Sequence, residues 1–171
     1  QTSLGLMHTL GWGVSQNSAA AMEWFRKAAN QGDADAQYNL GKMYEEGRGV
    51  PQDNAEALPW YREAAENGHA EAEHRLGVFY AEGWGVAPNY GEALKWQHKA
   101  AAQGLAAAQN SLGLMYANGK GVLQDHAVAV DWFRKAADQG YAEAQYYLGV
   151  SYAEGWGVPQ DYAEAWAWHR K

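Results

Sequence analysis

Five Gly-x-Gly segments are the first residues to test for chemistry. By type, Gly47-Arg48-Gly49-Val50 could cradle a phosphate, as could Gly11-Trp12-Gly13-Val14, Gly83-Trp84-Gly85-Val86, Gly119-Lys120-Gly121-Val122 and Gly155-Trp156-Gly157-Val158. A dinucleotide fingerprint needs a third glycine and a preceding strand. These segments lack that glycine and follow helical patterns, so no phosphate chemistry is expected. His69 and Glu73 stand four apart and could touch one metal ion, but two ligands make a weak site. His74 is the histidine to watch as a pH-sensitive contact. Glu45 and Glu46 are adjacent rather than facing, so they form no acid–base pair. A Gly-x-x-x-x-Gly-Lys loop, a His-Glu-x-x-His pair, a Gly-x-Ser-x-Gly elbow and a Ser-x-x-Lys set are all absent. The sequence predicts no catalytic residue, no metal site and no cofactor.

What the glycine segments do show is period. Their first glycines stand at 11, 47, 83, 119 and 155, a constant step of 36. A fixed period of this size means stacked supersecondary units. In the most regular unit a helix, here helix A, runs from Asp33 to Glu46 with Ala36, Leu40 and Tyr44 on one stripe. Gly47 follows as the left-handed cap that a residue without Cβ adopts most easily. Asp53 is a good N-cap for helix B, whose stripe is Ala57, Trp60 and Ala64, and Gly68 ends it. Each unit is therefore an antiparallel helix pair. The expected domain is one array over residues 1–171: a partial repeat 1–32, repeats 33–68, 69–104 and 105–140, and an incomplete repeat 141–171.

Columns of identical residues run through the units. Helix A repeats Leu4, Leu40, Leu76, Leu112 and Leu148, each followed by a glycine, and Tyr44, Tyr80, Tyr116 and Tyr152. Helix B repeats Trp24, Trp60, Trp96, Trp132 and Trp168. Residues constant in every unit serve stacking, so all three columns are expected to be core. A mid-helix glycine costs about 1 kcal/mol against alanine, which points to close approach of helix B or of the next unit. Pro59 lies inside helix B of its unit, where a local bend is expected.

Composition narrows the partner class. A net charge of −7 argues against nucleic acid or anionic membrane, which need clustered Lys and Arg. No apolar run approaches the roughly 20 residues of a membrane span. There is no cysteine, hence no disulfide framework or thiolate site. The chain opens on Gln1 inside a repeat and stops at Lys171 inside a helix B. A presequence or further repeats are expected outside it, and uncapped apolar ends suit end-to-end self-association. Its compartment stays open between bacterial cytoplasm and a secreted or periplasmic location.

The pattern Ala36-x3-Leu40-Gly41-x2-Tyr44-x2-Gly47-x-Gly49-Val50-x2-Asp53-x3-Ala57-x2-Trp60-x3-Ala64-Ala65-x2-Gly68 resembles the Sel1-like repeat family, relatives of the tetratricopeptide repeat. The resemblance covers the whole chain. It implies an all-α, right-handed alpha-alpha superhelix, a solenoid of 36-residue helix pairs, acting as a non-enzymatic protein-binding scaffold. It also implies that helix A lines the concave surface and helix B the convex one.

With that orientation, the stripe opposite the core faces the groove. It holds Tyr38, Lys42, Glu45 and Glu46, then His74, Val78 and Glu82, then Asn110 and Leu114, then Tyr146, Val150 and Glu154. These positions change between units, as recognition of one partner requires. With Asp35, Glu71 and Glu143 added, acids oppose the single Lys42. The expected groove has an apolar floor and acidic walls, suited to a basic, partly apolar protein or peptide segment. Against this stands solvated carboxylates beside ordinary packing. A second candidate surface is the variable loop position, where Trp12, Trp84 and Trp156 could anchor a partner or simply cover adjacent backbone. The alternative function is a dedicated inhibitor or immunity protein capping one toxin or enzyme.

Overall fold

The computed structural model describes residues 1–171. They form ten helices and no strand: α1 (Thr2–Leu10), α2 (Ser18–Ala29), α3 (Ala34–Glu46), α4 (Asn54–Glu66), α5 (Ala70–Glu82), α6 (Tyr90–Ala102), α7 (Ala106–Asn118), α8 (His126–Ala137), α9 (Ala142–Glu154) and α10 (Tyr162–His169). Odd numbers are A helices and even numbers B helices. The chain divides into two compact units, Gln1–Pro88 and Asn89–Lys171. Within each, helices pack on their neighbours in sequence.

Local chemistry sets the helix ends. Each B helix starts on an Asn or Asp, namely Asn17, Asp53, Asn89, Asp125 and Asp161, whose side chain accepts a first-turn N–H. Each A helix ends on a left-handed glycine, with φ 69° at Gly47 and 71° at Gly155. The second loop glycine does more than relax the turn. A Cβ at Gly49 would lie 2.6 Å from Ser18 Cβ, and one at Gly85 would lie 2.5 Å from the Asn54 carbonyl oxygen. Each such loop therefore rests on the start of the preceding B helix.

The core is small residues closed by rings. The B-helix alanine pairs, such as Ala64-Ala65 and Ala136-Ala137, are buried, as are Leu40, Leu76, Leu112 and Leu148. Leu4, in the first helix of the chain, is 39% exposed. Four of the mid-helix glycines, Gly5, Gly41, Gly113 and Gly149, admit a ring from helix B of the same pair. A Cβ at Gly5 would lie 2.5 Å from Phe25, one at Gly41 2.8 Å from Tyr61, and one at Gly149 2.6 Å from His169.

Two expectations about the core need correction. The tryptophan column is core only in part: Trp96 and Trp168 are buried at 6% and 9% exposure, whereas Trp24, Trp60 and Trp132 are half-buried beside the buried Phe25, Tyr61 and Phe133, one position later. Lysines lie over the tryptophan faces, with Lys27 4.5 Å from Trp24, Lys99 4.1 Å from Trp96 and Lys135 4.0 Å from Trp132. The tyrosine column is likewise half-buried because its hydroxyl is a cross-repeat acceptor. Arg26 donates to Tyr44 at 2.7 Å, Arg62 to Tyr80 at 2.9 Å and Arg134 to Tyr152 at 2.8 Å. Where the arginine is replaced, His98 meets Tyr116 edge-on at 6.4 Å.

Helix α4 runs through Pro59 as one element. Because proline removes a ladder hydrogen bond and costs about 3 kcal/mol against alanine in a helix interior, Pro59→Ala should raise stability by about 1–3 kcal/mol in urea unfolding. Tyr152→Phe keeps the ring but deletes the Arg134 acceptor, so the same measurement should show a loss of about 0.5–1.5 kcal/mol.

Candidate functional site

In the Gln1–Pro88 unit the part of the expected acidic wall formed by Glu45 and Glu46 is internally neutralised. Glu45 lies deep, its side chain 11% exposed, and pairs with the Arg75 guanidinium through both carboxylate oxygens. Tyr61 Oη donates to the same carboxylate at 2.5 Å. Glu46 pairs with Arg48 and lies 3.9 Å from Lys42 Nζ. The lopsided charge expected here is thus corrected: Arg75, one position past the stripe, is long enough to reach back into it. Burial, and then the neighbouring Tyr38 and Glu46, push the Tyr61 pKa far above the ordinary phenol value, so Tyr61 remains a donor. Burial raises Tyr38 as well, with Arg75 opposing, and burial lowers Arg75. Tyr38, Lys42, Glu45, Glu46, Tyr61 and Arg75 line a cavity of about 260 Å³.

The same unit resolves the histidines. His69 is the N-cap of α5: its Nδ1 accepts from Ala72 N at 3.2 Å, its Nε2 lies 3.4 Å from Asp35, and its ring stacks on Tyr38 at 4.5 Å. Glu73 is 4% exposed. The two are therefore used in capping and in the core, and no surface metal pair forms. His74 and Val78 are half-buried. Glu82 is exposed at the end of α5 and stands outside the chain's ion pairs. Trp12 is 65% exposed, and Trp84 leans edge-on against Phe79 at 5.7 Å.

The Asn89–Lys171 unit differs. Leu114 and Val150 sit on the walls of a cavity of about 380 Å³ that Ala117, Asn118, Gln124, His126, Ala129, Phe133, Tyr147, Ser151 and Trp156 complete. Its size falls within the usual range for ligand pockets, roughly 300–1,000 Å³. Trp156 is 50% exposed and stacks on His126 at 5.7 Å and 22°. The groove stripe and the loop edge, separate candidates in the sequence, here contribute to one pocket. Asn118 donates to Leu114 O at 2.8 Å, Gln124 to Ala117 O at 2.7 Å and Ser151 to Tyr147 O at 2.8 Å, so each holds its wall to a helix carbonyl.

Three predicted positions of this unit lie elsewhere. Asn110 is only 3% exposed, with a buried and unpartnered Oδ1, so it is no open groove contact. Tyr146 is 56% exposed, edge-on to Tyr147 at 5.5 Å and 5.6 Å from His169. Glu154 is exposed, three residues after Ser151 and two before Trp156. The sequence reading passes over Gln124, His126, Tyr147 and Ser151. Only Ser151 carries a signal, as a small residue in an otherwise large apolar column.

The repeats match the family model described as Sel1 repeat over residues 1–33, 34–69, 70–105, 106–141 and 142–171. No curated protein matches the chain. Among solved structures, a Sel1 repeat protein of Oxalobacter formigenes is 41% identical over 99% of this chain and 67% of its own, with a TM-score of 0.96. A protective antigen of uropathogenic Escherichia coli strains with an SLR fold is 42% identical over 98% of this chain, with a TM-score of 0.93. The chain spans 36% of that antigen's length. An immunity protein of Pseudomonas aeruginosa shares the fold at 20% identity over 99% of this chain and 66% of its own, with a TM-score of 0.65. No helix is long and apolar enough to cross a membrane. Sel1 repeat proteins typically mediate protein–protein interaction and are generally not enzymes. Five matched repeats across the length, and two relatives above 40% identity, establish the chain as a member of the Sel1 repeat family.

Proposed function

We propose that the chain is a non-enzymatic scaffold that binds a basic, partly apolar segment of another protein on its A-helix face. The observation that carries this reading is the cavity between α7 and α9. Leu114, Val150 and Trp156, all at positions that change from repeat to repeat, meet there around one opening. Constant residues are consumed by packing, so variable residues that converge on a concavity are the ones free to select a partner. Charge supports the basic character. Glu82 and Glu154 end their A helices exposed and outside the ion pairs, and the chain carries a net charge of −7. The neutralised cluster around Glu45 contributes less, because its charge is already matched by Arg75.

A dedicated inhibitor would use the same residues, and the number of partners separates it from an adaptor. The likeness to an immunity protein bears on the fold alone at its level of identity.

Glu82→Lys and Glu154→Lys are expected to weaken capture of the partner from the source cell's extract, by about three- to tenfold each, while the melting temperature moves little. Raising salt should weaken the wild-type interaction more than that of the variants. Unchanged affinity in both variants would move the interface to the loop tryptophans or to the B-helix side.

A further inference from the structure

The cavity of the Asn89–Lys171 unit is enlarged where one member of a core column is small: the equivalent concavity lined by Thr9, Gln16, Ser18, Met43 and Arg48 measures about 250 Å³, against about 380 Å³ here. At steps of 36 residues, the A helices carry Met7, Met43, Phe79, Met115 and then Ser151. Met43, Phe79 and Met115 are buried at 4%, 0% and 6% exposure, so each occupies core space beside its loop, with Met43 also lining the smaller concavity. Phe79 shows what that space accepts. Its ring meets Tyr61 edge-on at 5.3 Å and Trp84 edge-on at 5.7 Å. Two repeats later the flanking rings are present as Phe133 and Trp156, both lining the cavity, but the residue between them is Ser151. Its hydroxyl is satisfied by Tyr147 O at 2.8 Å, so the site asks for no polar group there.

We infer that this cavity is a socket for a phenylalanine side chain of the partner protein, flanked in the partner by a basic residue. This rests on the reading that the A-helix face binds protein. The ring would take the place that Phe79 fills from within the chain, edge-on to Phe133 and Trp156, with Leu114 and Val150 on its sides. The basic neighbour follows from charge complementarity. No lysine or arginine lines the cavity, and Glu154 stands exposed one turn beyond Ser151. The walls are mostly apolar, so a hydrated charge is excluded from the socket itself and confined to its rim.

The test fills the socket from inside. Ser151→Phe restores the column, and the full chain carrying it should melt several degrees higher, whereas Ser151→Ala should melt within a degree or two of the wild type. The probes are the peptides acetyl-Lys-Gly-Phe-Gly-Lys-amide and its Phe→Ala analogue, titrated to 10 mM with the Trp156 indole and the Leu114 and Val150 methyls observed by NMR. The phenylalanine peptide should shift these signals saturably. The alanine peptide, and either peptide with Ser151→Phe, should shift them at least tenfold less at equal concentration. No shift with the phenylalanine peptide, an equal shift with the alanine peptide, or a Ser151→Phe chain that melts lower would overturn the socket. Partner capture equal in wild type and Ser151→Phe, yet weakened by Glu154→Lys, would overturn the socket and leave the A-face reading standing. Capture insensitive to both substitutions would remove that reading as well.

Discussion

The contact on which the rest depends is a ring of helix B lying over a glycine of helix A. At Gly5, Gly41 and Gly113 any side chain would meet the face of Phe25, Tyr61 or Phe133. Helix propensity alone favours alanine there by about 1 kcal/mol. The glycines persist because the ring needs the backbone itself as its floor. Interiors are packed as densely as organic crystals, so this one contact sets the spacing of the pair with little slack. Once A and B are fixed against each other, the alanine pairs and the leucine column close around them, and each loop glycine can rest on the preceding B helix.

That rigidity lets small substitutions change the surface without changing the fold. In the Gln1–Pro88 unit, the cleft between α3 and α5 is occupied by the chain's own groups: Phe79 against Tyr61 and Trp84, and Arg75 against Glu45. At the positions 72 residues later stand Ser151 for Phe79, Ala117 for Glu45 and Tyr147 for Arg75. The frame is retained and the filling changes: Tyr147 stacks on Phe133 at 5.2 Å, and Ser151 leaves the place of the Phe79 ring unfilled. One frame thus carries a smaller cavity lined by ion-paired groups, about 260 Å³, and a larger one with mostly apolar walls, about 380 Å³.

Most of the fold was legible because its determinants are local. N-caps, left-handed glycines and apolar stripes each act within one turn, and the helix boundaries follow from them. The core was less legible, for a physical reason. Trp24, Trp60, Trp96, Trp132 and Trp168 form a conspicuous column, yet only Trp96 and Trp168 are buried, and four of the five rings carry a lysine over one face. The buried column, Phe25, Tyr61, Gln97, Phe133 and His169, changes residue type from unit to unit and so hides from a search for identity. The Arg–Tyr links join positions 18 apart across a repeat boundary, a distance at which helical periodicity carries no information. At the candidate site, Leu114, Val150 and Trp156 could be named from the sequence because they vary. Arg75 could not, because its side chain, rather than its helical position, brings it to Glu45. Asn110 sat on the right stripe and is nonetheless buried.

The measurement that tests the ring-over-glycine constraint most directly is a double-mutant cycle between Gly113 and Phe133. Gly113→Ala should destabilise the full chain by about 1–3 kcal/mol, because overpacking against the Phe133 ring outweighs the gain in helix propensity. In a Phe133→Leu background, whose flexible side chain can move aside, the same substitution should be neutral or stabilising by up to about 1 kcal/mol. A Gly113→Ala chain as stable as the wild type or more so, or an equal loss in both backgrounds, would contradict the account.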